Sequence, residues 1–327
     1  MSLLLSASEI MRVLNMDLAL AAVHAAFLAC GEGRVNNPPK SHLNVGPGSF
    51  KAIFGEITMP SGHICGVKWN ANFPENPWQG RFAVMGKLLL NDPETGLELA
   101  DMDATHITNY RTGAAGGLAV QHLARKNAAR LGLVGAGEQA RTQAEAILKI
   151  RPIREVTVYS RTSAHAQALG NELAAKYGLE VRVADEEKAA VAGQDIVVST
   201  TPATHPHLLR EWVAPGTHIN AVGADSPGKQ ELEPAILKAA RVVVDDLAQC
   251  REIGEINMPL RRGEFSLDQV YGTLGKIVAG KKPGRAAPQE ITVFDATGLA
   301  IQDLSLGWEI LQRAREMGLG EEKSFLQ

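Results

Sequence analysis

Apolar and polar positions follow three different rhythms along the 327 residues of this chain. Residues 6–32 read as helix: Ser6-x-x-Glu9 has the form of a capping box, Asp17 can cap a second helix, and Gly31 and Gly33 end it. From residue 41 the pattern shortens to strand candidates at 41–45, 50–59, 63–70 and 82–91, separated by Pro47-Gly48, Pro60-Ser61-Gly62 and a Pro/Asn-rich loop at 72–80. The stretch from Asn91 to Gly96 joins residues 87–90 to 97–101 as a tight hairpin, so this lobe is expected to be antiparallel α+β. Residues 105–123 then read as a helix carrying Gly113, Gly116 and Gly117. Glycine costs a helix roughly 1 kcal/mol against alanine, so several together predict a close neighbour. Beyond residue 130, strands at 130–134, 155–160, 180–183, 195–200, 218–223, 241–245 and 291–295 alternate with helical stretches at 138–150 and 163–177. That alternation predicts an α/β fold with a doubly wound parallel sheet of Rossmann type. A helix over 300–317 follows the last strand and is expected to pack back onto the first lobe. The predicted division is a first domain of residues 1–120 joined by the C-terminal segment 304–327, and a dinucleotide-binding domain of 121–303.

Composition narrows the function classes. A formal charge of −3 leaves no basic excess to neutralise a phosphate backbone, so nucleic acid is not an expected partner. The longest uncharged apolar stretch, residues 18–30, falls short of the roughly 20 residues that a membrane span needs. The N-terminus lacks a basic n-region, which argues against a secretory leader. Cys30, Cys65 and Cys250 are too few and too scattered for a disulfide framework, and a cytoplasmic setting is expected. Zinc is not indicated: His205-x-His207 and His63-x-Cys65 lack further ligands at suitable spacing.

The strongest local signal is Gly135-Ala136-Gly137-Glu138-Gln139-Ala140 after the apolar run Leu131 to Val134. Gly135 permits a tight turn, Gly137 lets backbone approach a pyrophosphate at a helix N-terminus, and Ala140 allows close helix–strand packing. An NAD-selective relative would end its second strand in an acidic residue; here Ser160-Arg161-Thr162 stands instead. A planar guanidinium flanked by hydroxyls suits a 2′-phosphate, so NADP(H) is favoured, while Arg161 stacking over adenine would leave NAD(H) open. Thr112, Thr200, Thr201, Val222 and Gly223 complete the expected cofactor lining. Gly223 to Lys229 has the spacing of a phosphate loop, but Gln230 occupies the position where a Ser or Thr would hold Mg²⁺. Asp225, after the strand at 218–223, is a candidate proton donor or acceptor; the alternative is that it caps the next helix. Lys40, His42, Lys51, Lys68 and Arg111 sit singly in or beside apolar strands. Each can snorkel or be structural. Convergence of several would bind a small carboxylate-bearing substrate.

With these residues in view, the chain resembles the ornithine cyclodeaminase/mu-crystallin family, particularly its archaeal-type alanine dehydrogenase and imino-acid (ketimine) reductase members. The resemblance rests on Pro38-Pro39-Lys40, Gly66-Val67-Lys68-Trp69, the segment from Asn91 to Gly96 and Arg111-Thr112-Gly113. It continues with Gly223-Ala224-Asp225, the segment Ser226 to Leu232, Val244-Asp245-Asp246 and the segment from Phe294 to Asp303. It implies a homodimer in which the first lobe binds substrate and mediates dimerisation and the Rossmann lobe carries the nicotinamide cofactor. It also implies that Asp225 acts as acid/base, that Lys68 and Arg111 hold the substrate carboxylate, and that Lys40 joins the active site. Two departures stand out: Lys51 where several relatives carry Arg, and the absent acidic residue near Arg161. The expected activity is NAD(P)H-dependent interconversion of a small 2-imino acid, or a cyclic ketimine, and its L-amino acid, with a dicarboxylate such as iminosuccinate within range. The alternatives are an ornithine or lysine cyclodeaminase, which releases ammonia, and a non-catalytic binding protein like mu-crystallin.

Overall fold

The computed structural model describes residues 1–324; the last three residues of the C-terminal segment 304–327 lie outside the described residues. The chain divides into two compact units: Met1–Arg111 with the chain from Leu299 onward, and Thr112–Gly298.

The first unit begins with β1 (Ser2–Leu5), α1 (Ala7–Val13) and α2 (Met16–Glu32). Ser6 and Glu9 form the capping box of α1, whereas α2 is capped by Asn15, whose side chain accepts from Leu18 N–H, and Asp17 falls in the first turn. Strands β2 (Val35–Asn36), β3 (Ser41–Val45), β4 (Gly48–Met59), β5 (Gly62–Asn72), β6 (Val84–Asn91) and β7 (Glu98–Asp103) follow, and then α3 (Thr105–Leu123). Asp92 closes the β6–β7 turn by accepting from Glu94 N–H and the Thr95 hydroxyl. The sheet from β2 to β7 is antiparallel as expected, but β1 pairs with β7 in parallel, so the unit's sheet is mixed. Three leucines in a four-residue run carry no period that would announce such a strand.

The second unit contains β8 (Arg130–Val134), α4 (Glu138–Ile150), β9 (Glu155–Tyr159), α5 (Ser163–Tyr177), β10 (Glu180–Val183), β11 (Ile196–Ser199) and β12 (His218–Ala221). It continues with α6 (Pro234–Ala239), β13 (Ala240–Val244), α7 (Leu247–Ile253), α8 (Asn257–Arg261), β14 (Val270–Thr273), α9 (Leu274–Val278) and β15 (Ile291–Asp295). Its eight strands pair in the order β10-β9-β8-β11-β12-β15-β13-β14, all parallel, with the winding direction reversing between β8 and β11. β11, β12 and β15 are buried along their whole length, as expected for strands covered on both faces. The glycines of α3 meet their predicted neighbour here, and it is a helix of the same unit. A methyl at Gly113 would lie 2.5 Å from the Thr142 carbonyl, and one at Gly116 would overlap the Gln143 side chain. Gln143 donates to the Thr112 carbonyl at 2.9 Å, which ties this part of α3 to α4. That packing explains why the division falls inside α3 after Arg111 rather than near residue 120.

The chain then returns to the first unit as α10 (Ala300–Glu316) and β16 (Glu321–Lys323), the latter antiparallel to β1. Helix α10 lies on α2, β4 and β5. Gly55 and Gly66 are direct cross-strand partners, and together they open the seat. A methyl at Gly55 would lie 2.7 Å from the Ala300 side chain, and one at Gly66 would overlap the Leu89 carbonyl and press on Leu304. The first-unit segment therefore starts at Leu299, five residues before the expected 304. Among the described residues no single helix is long and apolar enough to cross a membrane, and the apolar pair α1 and α2 bends by 88°.

Candidate functional site

In the first unit the inner face of the sheet changes character along β4 and β5. Beneath α10 it is apolar or glycine: Ile57 opposite Ile64 and Gly55 opposite Gly66. Beyond that seat it turns polar, with Ile53 opposite Lys68, then Lys51 opposite both Asn70 and His42. Period-two alternation places His42, Lys51, Lys68 and Asn70 on one face. Lys68 is 1% exposed, Lys51 4% and Arg111 7%, so neither lysine snorkels.

What permits this burial is Asp303, in the first turn of α10 and itself inaccessible to solvent. Its Oδ1 accepts from Lys68 Nζ at 2.7 Å and from Arg111 Nε at 3.1 Å. Lys68 Nζ also donates to the Thr108 hydroxyl at 3.2 Å, and Arg111 Nη1 donates to Gln302 Oε1 at 3.0 Å. Burial pushes Lys68 down to about 7, helped by the Arg111 charge and, more weakly, by Lys40; Asp303 opposes the shift. Burial would raise Asp303, but Arg111 and Lys68 outweigh it and hold its carboxyl below the usual range. Asp303 Oδ2, Gln302 Nε2 and Asn70 Oδ1 are buried without a hydrogen-bond partner, so polar capacity in this cluster is left for a further group. The structure thus gathers Lys68 and Arg111 at one carboxylate, brings the Lys40 charge to bear on them, and sets Lys51 and His42 along the same face. Thr108, Gln302, Asp303 and Asn70 belong to this cluster and were not anticipated.

In the second unit the register aligns four strand ends in one row. Tyr159 pairs with Val134, Val134 with Ser199, and Ser199 with Ala221. The segments that follow are Ser160-Arg161-Thr162, Gly135-Ala136-Gly137, Thr200-Thr201 and Val222-Gly223, so they leave the sheet along the same edge, astride the β8/β11 reversal. Gly135 has φ +106°, a conformation that L side chains rarely adopt, and a methyl there would also meet the Thr200 hydroxyl at 2.5 Å. Gly137 caps α4 without a side-chain bond, and it and Glu138 are exposed, so the first N–H groups of a 13-residue helix face outward beside Gln139. Arg161 is exposed at the end of β9, and Ser160 Oγ accepts from Thr162 N–H at 3.4 Å. These features fit a dinucleotide: a turn only glycine tolerates, an open helix N-terminus and a row of small residues.

Asp225 lies in the same unit, four residues after the end of β12, and caps no helix; the next helix, α6, begins at Pro234 behind Glu233. Instead its Oδ1 accepts from Lys229 Nζ at 2.6 Å, and Lys229 also donates to the Gly223 carbonyl at 3.3 Å. The lysine that gave the phosphate-loop spacing is thus the partner of Asp225, a role the sequence did not announce.

Asp303→Asn should destabilise the protein by about 3 kcal/mol or more, because it leaves two buried cations without their carboxylate. Since the folded-state pKa of Lys68 is lowered to about 7 from 10.5, the folded protein holds fewer protons than the unfolded chain between those values. The cost of burying Lys68 is therefore greatest below pH 7 and fades as pH rises. Urea denaturation should show a larger loss for Asp303→Asn at pH 6 than at pH 9; equal losses would contradict this account of the cluster.

Known proteins bear on the fold and the family. Residues 1–318 match the ornithine cyclodeaminase/mu-crystallin family. The structure is similar to an archaeal alanine dehydrogenase dimer with bound NAD (40% identity, 99% of each chain covered, TM-score 0.95). It is also similar to the Thermococcus litoralis Δ1-pyrroline-2-carboxylate reductase in complex with NADH and L-proline (34% identity, 98% of this chain and 100% of the other, TM-score 0.94). A third likeness is to the Paracoccus denitrificans iminosuccinate reductase in complex with NAD+ (31% identity, 99% of each chain, TM-score 0.91). The two-unit architecture, the strand-end row and a match over almost the whole length agree: this chain belongs to the ornithine cyclodeaminase/mu-crystallin family.

Proposed function

We propose that this chain is an NAD(P)H-dependent oxidoreductase that interconverts a small 2-imino acid, open-chain or cyclic, and the corresponding L-amino acid. The observation that carries the reading is the buried cluster in which Lys68 and Arg111 share one carboxylate oxygen of Asp303 while Lys40 adds a further positive charge. A carboxylate substrate is the ligand that two buried cations sharing a single carboxylate favour. The named activities of the similar proteins, alanine dehydrogenase, pyrroline-2-carboxylate reductase and iminosuccinate reductase, all involve substrates of this kind.

The cofactor, when bound, supplies or accepts the hydride. The chain's own residues do the rest. Arg111 offers a planar fork to the substrate α-carboxylate and Lys68 a buried ammonium. A group whose pKa is lowered to about 7 is half protonated near neutrality, so Lys68 gains its proton as a negative ligand arrives. Asp225, held by Lys229, is the proposed proton carrier, and Lys40, whose charge acts on Lys68, is a further proposed catalytic residue. Lys51 and His42, on the face that bears Lys68, are positioned to meet a second carboxylate, which supports an iminosuccinate-type substrate beside alanine-type and cyclic ones. We assign the cofactor preference to NADPH over NADH on Arg161 and its flanking hydroxyls, with Thr112, Ala136, Gly137, Gln139, Thr200 and Val222 as further contacts.

The first unit is proposed to dimerise through its outer sheet face. There Phe50 stacks on Trp69 at 5.2 Å, yet Trp69 is 46% and Phe54 45% exposed, with Leu43 54% and Phe82 53%. Large apolar side chains exposed together mark an association surface, and the similar archaeal enzyme is a dimer. Light scattering should give twice the chain mass, and Trp69→Glu should shift it toward the monomer; a monomeric wild type at micromolar concentration would refute this.

The activity is tested by following NADPH and NADH oxidation with pyruvate, glyoxylate or oxaloacetate plus ammonia, and with cyclic imines. Oxidation with at least one is expected, and Arg161→Ala should raise the KM for NADPH about tenfold while barely changing that for NADH. No oxidation, with ammonia released from ornithine at constant 340 nm absorbance, would instead identify a cyclodeaminase. Cofactor binding without turnover would identify a binding protein.

A further inference from the structure

Glu231 is fully buried between two strand ends of the second unit. Its Oε1 accepts from Thr201 N–H and the Thr201 hydroxyl, each at 2.7 Å, and from the Ser199 hydroxyl; its Oε2 accepts from Gly223 N–H at 2.8 Å. Thr201 follows β11 and Gly223 follows β12, so one side chain fastens two neighbouring segments beyond the last paired residues, Ser199 and Ala221. Gly223 has no room for a side chain here: a methyl would overlap the Thr201 carbonyl and lie 2.5 Å from the Glu231 carboxylate. Two residues beyond Gly223 stands Asp225.

Glu231 is itself held in the same manner. Its backbone N–H donates to both Glu255 oxygens at 3.1 Å, and Leu232 N–H donates to Glu255 Oε1 at 2.7 Å. The backbone N–H of Glu255 donates to Asp295 Oδ1 at 2.9 Å, and that of Ile256 to Oδ2 at 3.1 Å. Asp295 ends β15 and pairs with Ala221 of β12. Three buried carboxylates, each gripping the backbone of the residue that bears the next, thus run from the end of β15 to the ends of β12 and β11. Burying such groups is costly, and burial pushes Asp295 up to about 7 and Glu255 well above the usual carboxylate range. Fastening backbone is what this arrangement does with that cost.

We propose that Glu231, supported by Glu255 and Asp295, is a positioning residue that fixes the segments 199–201 and 222–225 for the nicotinamide cofactor and for Asp225. The proposal rests on reading the second unit as the cofactor-binding unit. A carboxylate suits the task because both oxygens only accept, and every group around it that is fixed in the backbone only donates. Glutamine presents one NH2, which must face either Thr201 N–H or Gly223 N–H, so it cannot serve both segments.

The test is Glu231→Gln, checked for folding by near-UV circular dichroism, with NADH and NADPH affinity measured by fluorescence titration and kcat measured with the imino acid the wild type accepts. Cofactor Kd is expected to rise about tenfold, and kcat to fall roughly 10- to 100-fold while the imino-acid KM changes less than about threefold. A merely structural role would lower the unfolding temperature yet leave Kd and kcat per folded molecule unchanged, and that result overturns the proposal. Should Glu231→Gln fail to fold, Ser199→Ala, which removes one donor to the carboxylate, is read in the same way: about a threefold change in Kd or kcat is expected, and no change overturns it. A wild type that binds neither dinucleotide would overturn the reading of the unit itself, and the inference with it, whereas an unaltered Glu231→Gln overturns the inference alone.

Discussion

Two cations cannot be buried side by side without a carboxylate to hold them, and that constraint organises the first unit. Lys68 and Arg111 come from a strand and a helix formed early in the chain, and the carboxylate that neutralises them, Asp303, is 235 residues after Lys68. For Asp303 to arrive, the chain must leave the first unit, complete a whole parallel sheet, and return. The returning helix must then lie close enough to the sheet, and the paired glycines Gly55 and Gly66 remove the side chains that would hold it off. Lys68, Arg111 and Asp303 thus hold one another inside the unit, and the proposed substrate carboxylate would meet the same two cations. One carboxylate oxygen is shared by both cations, so a single negative charge faces two positive groups.

The second unit solves a different problem. Parallel strands end in loops that the sheet no longer fixes, yet a dinucleotide needs those loops in defined places. The register aligns the ends of β9, β8, β11 and β12, glycine at position 135 makes the first turn possible, and buried acids fasten backbone beyond the last paired residues. In each unit acidic side chains act at a distance from where composition would place them: they are internal fixtures, and the net charge of −3 says nothing about them.

Much of this architecture is legible in the sequence because it is local. The glycines at 135 and 137, the strand–helix alternation and the Asn91–Gly96 turn each announce themselves within a few residues. What escapes is non-local or lacks a period. Strand β1 is three leucines and a serine, and only its parallel pairing with β7 makes it a strand. Lys68 and Arg111 are visible as charges among apolar neighbours, but Asp303 reads as an ordinary acidic residue in a first helical turn until the fold brings it to them. Lys229 is conspicuous for the wrong reason: its spacing from Gly223 suggests a phosphate loop, whereas its ammonium serves Asp225. Glu231 and Glu255 look like surface acids in a polar loop, and nothing short of the sheet register shows that they are buried.

Lys68 and Arg111 are proposed to form a carboxylate site whose charge is completed only by ligand, and counting protons distinguishes such a site from a purely structural cluster. Calorimetric binding of pyruvate or oxaloacetate to the cofactor-loaded protein at pH 8, in buffers of differing ionisation enthalpy, gives the number of protons exchanged. Lys68, lowered to about 7 in the free protein, is largely neutral at that pH. A bound carboxylate raises its pKa, so uptake approaching about one proton per site is expected, and it should vanish in Lys68→Met. Binding with no uptake, or with release of a proton, would contradict the account.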